Sequence, residues 1–152
     1  MPAGAFVFPD KAKLNMFGPA NLLNPANTFK LSLHTSAWAP NIATVEVLAD
    51  CTNELTTSGG YTAGGVVLGT DALTQTGSVI KFTADAAAWI ASGAGIPAWR
   101  YGVVYALGTL NGKVNPVVGY FLGDSTPADV PATTAGNSLT VTPSASGILT
   151  AT

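Results

Sequence analysis

The chain has 152 residues, of which only 9% are charged, and a formal net charge of −2. That is one domain's length, with far less charge than the roughly 25% of an ordinary soluble domain. So few cations argue against nucleic-acid binding, and no run reaches the roughly 18 uninterrupted apolar residues of a membrane span. A surface this poor in charge is expected to be partly covered by other protein chains. Cys51 stands alone, which rules out an internal disulfide and predicts a small buried residue or an idle thiol. The first residues carry their charges after the apolar ones, the reverse of a signal peptide, so a soluble protein is expected.

Residues 1–28 have prolines at 2, 9, 19 and 25 and little periodicity. They predict an extended arm with at most one helical turn around 11–17. Phe6, Phe8, Met16 and Phe17 are large apolar groups that should dock, either on a neighbouring subunit or lattice or back on the same domain. If the arm is an anchor, deleting 1–28 should leave the remaining domain folded. Residues 29–35 alternate as a strand, with Phe29, Leu31 and Leu33 inward and Lys30, Ser32 and His34 outward. With no second histidine, one cysteine and widely spaced acids, nothing completes a metal set or a nucleophile relay. His34 is therefore read as a polar residue on a solvated face, and no catalytic residue, metal or cofactor is expected.

Residues 36–42 read as a loop anchored by Trp38, and 44–55 as a short strand or a single helical turn. The Gly-Gly pairs at 59–60 and 64–65 match no phosphate-binding pattern. They fit a tight connection before a strand at 65–68, with Tyr61 plugging the edge of the core. Residues 78–84 form another strand. Residues 85–91 are open between a short helix capped by Asp85 and a loop carrying Trp89.

Residues 96–122 predict two strands joined by a turn region. Tyr101, Val103 and Tyr105 share a face with Trp99, and Asn111-Gly112 supplies a tight turn. The returning segment 117–122 is apolar on both faces and is expected to be central. Arg100, the only arginine, needs a carboxylate if it is buried. Asp85 is the first candidate, with Asp50 and Asp71 beside it. Truncating a buried Arg100 would cost roughly 3–5 kcal/mol. Residues 123–137 are a turn-rich connection, and 138–152 a closing strand pair broken near Pro143.

Short strands with Gly/Pro-rich turns predict an all-β protein: the arm at 1–28, then a single β-sandwich or jelly-roll-like domain at 29–152. The ordered motifs FKLSLHTSAW (29–38), NELTTSGGYTAGGVVL (53–68), WRYGVVY (99–105), VVGYFLGD (117–124) and TAGNSLTVTPSASGILT (134–150) resemble a family of small tailed-bacteriophage virion proteins. The resemblance runs from Phe29 to the C-terminus. It implies a structural role as a capsid decoration (cement) protein, made in the host cytoplasm and placed on the capsid surface of the virion. The partners it implies are the major capsid protein lattice and further copies of the chain, as a trimer or dimer. A second reading is a fibre-associated module for a host-surface glycan, which would need Trp38, Trp89 and Tyr61 exposed as a stacking platform.

Overall fold

The computed structural model describes residues 3–144 and 147–151. A helix, α1 (Asp10–Met16), is followed by β1 (Phe29–His34), a 3-10 turn at Leu48–Asp50, β2 (Val66–Val67), β3 (Ala72–Thr76), β4 (Val79–Thr83) and β5 (Ala87–Ile90). Then come β6 (Tyr101–Ala106), β7 (Thr109–Leu110), β8 (Lys113–Val114), β9 (Val117–Leu122), β10 (Ser138–Val141) and β11 (Leu149–Ala151). The protein is all-β apart from α1 and the 3-10 turn.

The centre is a four-stranded antiparallel sheet in the order β2-β1-β6-β9. Both of its faces are covered. Phe29, Leu31 and Leu33 point with Val104, Ala106 and Val118 into the larger core, which also holds Phe82 of β4 and Trp89 of β5. The Phe29 and Phe82 rings meet edge-on at 4.9 Å. Val103, Tyr105, Val117 and Tyr120 line the opposite face under a lid of Trp38, Val45 and Cys51. A sheet covered on both sides reads as nearly continuous apolar sequence, as 101–106 and 117–122 do. Val104 pairs with Gly119 but Tyr105 with Val117, so Val118 is an extra residue in a β-bulge that bends the strand.

Three expectations need correction here. The segment 117–122 is not central: β9 lies at the end of the ladder and β6 inside it. Apolar residues on both faces record covered faces, not a covered edge. That edge is closed instead by the arm, where Val7 and Tyr120 exchange backbone bonds of 2.7 and 3.0 Å and the Gly4 N–H donates to Leu122 O at 2.8 Å. Within 85–91, the residues Ala87–Ile90 that carry Trp89 are neither helix nor loop but the strand β5. Ala87, Trp89 and Ala91 are buried while Ala88 and Ile90 are exposed, and this alternation pairs β5 with β10. Sheet pairing overrides the helix propensity of the alanines. Finally, β10 and β11 do not pair with each other; β11 joins β4, in a sheet ordered β11-β4-β3.

The tight turns follow local chemistry. Asn111 and Gly112 take φ of 51° and 74° between β7 and β8, as a two-residue turn with both central residues left-handed requires. Gly77, at φ 60°, opens the two-residue turn between β3 and β4. The sequence reading of 78–84 found β4 but not its partner β3.

Candidate functional site

His34 is fully buried, and so is Ser32, which corrects the solvated-face reading. The lid over the second face of the sheet covers both. The Nδ1–H of His34 donates to the Thr52 carbonyl at 2.9 Å, because a carbonyl can only accept. Nε2 is then left to accept from the Ser32 hydroxyl at 3.0 Å. This is the hydrogen-bond pattern of an activated serine, but no substrate can reach a hydroxyl with no exposed surface, so the pair serves as a structural clamp. Nearby, the Tyr61 hydroxyl donates to Glu54 at 2.7 Å and accepts from the Leu33 N–H at 3.0 Å. The Glu54 carboxylate also accepts from the Gly64 N–H, and the Tyr105 hydroxyl donates to the Gly64 carbonyl. These bonds tie the glycine-rich loop to the sheet and supply the partners that buried polar groups need.

Desolvation holds the His34 ring below its ordinary pKa, against smaller opposing effects of the Thr52 hydrogen bond and the Glu54 charge. Below about pH 6.5 the unfolded chain therefore takes up a proton that the folded protein resists. Stability is fully present above that pH and falls as the solution is acidified towards the lowered folded value. Urea melts between pH 7 and pH 5 are expected to show this loss, and His34→Gln should flatten that part of the profile. An unchanged slope in the variant would mean that another group titrates there.

The arm residues separate into two sets. Phe6, Phe8 and Met16 are partly buried against the larger core of their own chain, and Ala12, Leu22 and Leu23 lie inside it. The arm is thus part of the core, and deleting 1–28 would strip the covering from it rather than leave a folded remainder. Phe17 is 88% exposed, and Leu14, three residues earlier on α1, is 67% exposed. Phe17 is the residue that closes α1, its N–H donating to the Leu14 carbonyl at 3.2 Å, so the two exposed side chains belong to one turn of chain. The segment is held from beneath by Asn111, whose Nδ2 donates to the carbonyls of Asn15 and Ala20 while its Oδ1 accepts from the Ala20 N–H. Leu14 was not singled out from the sequence, although its i, i+3 spacing to Phe17 was there to be read.

Arg100 does not pair with Asp85. Its Nε donates to Asp129 at 2.7 Å, and the two side chains are 28% and 43% exposed. Asp85 instead accepts from the Thr70 hydroxyl, and Asp50 accepts the N–H groups of Glu46 and Val47. A half-exposed pair is worth at most about 1 kcal/mol after solvent screening. Arg100→Ala is expected to shift a urea melt by no more than that, and a loss of three or more would restore the buried-pair reading.

Trp38, Trp89 and Tyr61 are 3%, 6% and 1% exposed, so they form no stacking platform. An apolar cleft of about 480 Å³ lies between the arm, the central sheet and the segment after β10, lined by Phe6, Leu31, Leu68, Val104, Phe121 and Ile148 among others, and a wider, more polar hollow of about 740 Å³ lies between residues 46–54 and the β7–β8 turn. No cluster of three metal-ligating side chains occurs among the described residues, and no helix among them is long and apolar enough to cross a membrane. Comparison with protein-family models, with curated proteins and with solved structures finds no match to this chain.

Proposed function

We propose that this chain is a structural protein of a tailed-bacteriophage virion, a decoration (cement) subunit that binds the outside of the head and stabilises it. The observation that carries the reading is the pair Leu14 and Phe17, two large apolar side chains facing solvent on a segment otherwise fixed to its domain. Held in place beforehand, they lose little freedom on docking, and each buries apolar area worth about 25 cal/mol per Å². Many equivalent weak contacts then act together across the major capsid protein lattice. The charge-poor composition, the ordered motif resemblance and a sandwich-like reading of the all-β architecture support the same role. The glycan-binding alternative loses its sequence support with the burial of Trp38, Trp89 and Tyr61.

Purified virions test the assignment when this protein is quantified against the major capsid protein. Hundreds of copies per particle are expected; a few to a few dozen would move it to the tail or a fibre. Leu14→Ser with Phe17→Ser should keep the parent's melting behaviour, since exposed substitutions usually cost within about 0.5 kcal/mol. The same double variant should fail to coat heads. Coating as tight as the parent's would remove these residues as the anchor.

A further inference from the structure

We propose that β3 is a dimerisation edge, pairing antiparallel with β3 of a second copy to join two three-stranded sheets into one of six. β3 ends the ladder β11-β4-β3, and Leu73, Thr74, Gln75 and Thr76 are all exposed. In a hairpin closed by two residues, the flanking pair Thr76–Val79 exchanges both backbone bonds, and so do the alternate pairs Thr74–Lys81 and Ala72–Thr83. The N–H and C=O of Leu73 and Gln75 therefore point away from β4, and no backbone partner meets them among the described residues.

Natural proteins blunt such an edge with charge, proline, a bulge or a covering segment. β9 is covered by the arm and β2 is only two residues long. β3 reads Ala-Leu-Thr-Gln-Thr, with none of these protections. The occupant that fits is a second copy in two-fold symmetry about Thr74. Leu73 then faces Gln75 of the other copy, and Gln75 faces its Leu73, so both outward pairs exchange two bonds each. The charges choose the orientation. Parallel pairing in register would set Asp71 beside Asp71, whereas the two-fold sets Asp71 opposite Gly77 and keeps the acids at opposite ends. Leu73 and Ile80, 37% and 42% exposed, lie on one face of the hairpin, because Leu73 opposes Phe82 and Gln75 opposes Ile80. Two-fold pairing joins these residues into one apolar strip across the joined sheets.

The proposal goes beyond the virion reading, and purified protein alone tests it. Light scattering of the full chain should show a monomer–dimer equilibrium. Thr74 and its symmetry mate form a non-hydrogen-bonded pair, with Cα atoms about 4.5 Å apart, within disulfide reach. Thr74→Cys in a Cys51→Ser background should therefore form a covalent dimer under mild oxidation, whereas Thr76→Cys should not. Gln75→Pro removes an outward N–H and leaves the bonds to β4 intact, so it should give a folded monomer. A parent that stays monomeric at high concentration overturns the proposal, as does a dimer that survives Gln75→Pro without cross-linking at position 74. Failure to coat heads would leave these solution results unchanged, so the two readings fall separately.

Discussion

Gly65→Ala is expected to cost roughly 3–5 kcal/mol, a large share of the 5–15 kcal/mol that holds a domain together. Gly65 sits where the glycine-rich loop turns into β2, with φ of 69°. A left-handed alanine alone costs about 1–2 kcal/mol. The larger part is steric. A Cβ here would run into the Leu31 carbonyl and approach the Ser32 Cα to 2.8 Å, both of them backbone of the central strand that cannot swing aside. Gly93 is the control: its φ is 53°, but a Cβ there meets nothing within 4 Å. Gly93→Ala should therefore lose only the conformational part. Equal losses for the two variants in urea melts would show that the close approach to β1 carries no weight.

Trp38→Ala should cost a similar amount, about 3–5 kcal/mol, because it empties the centre of the lid over the second sheet face. The indole ring packs against His34 at 5.2 Å, Tyr101 at 5.2 Å and Tyr120 at 5.4 Å, the two tyrosines edge-on. Its removal also lets water reach His34. The acid-dependent loss of stability should shrink along with the overall stability, and the two readouts together separate a hydrated cavity from simple loosening. Trp38→Phe should fall between parent and alanine. A Trp38→Ala protein within 1 kcal/mol of the parent would mean that the lid closes over the gap or contributes little.

What could be read from the residues was local in origin. Asn111-Gly112 dictates its turn through backbone conformation alone, and the alternation in 29–34 and 101–106 sets strand and face without help from elsewhere. Ser32 and His34 were misplaced because alternation reports two faces and cannot say that Trp38 and a loop reaching back from Thr52, 18 residues on, will cover the polar one. Arg100 went to Asp129 because the backbone pairing of Trp99 with Val130 brings that loop alongside, a contact no spacing encodes. The apolar arm residues were visible, but which of them would stay outside was decided by tertiary contacts. Phe6 lies beside Phe121 with ring centres 6.4 Å apart, while Phe17 lies past the end of α1. Ala72–Thr76 escaped notice because its side chains carry little apolar contrast and its strand identity comes from pairing with β4.

The place of β1 in the central ladder also sets an order of events during synthesis. Leu31 pairs with Val66 on one side and Val104 on the other, so this strand waits for sequence made much later. The β3–β4 hairpin can close as soon as it leaves the ribosome, and so can the β6–β9 pair once Leu122 is made. Residues 29–34 emerge early, and one side of their strand stays without its ladder partner until that later pair arrives. Closing such a long loop before any contact rewards it is slow, which places folding in the millisecond-to-second range of sheet proteins rather than the microseconds of helical bundles. A nascent chain stalled before β6 would leave the backbone donors and acceptors on that side of β1 open to any strand that met them.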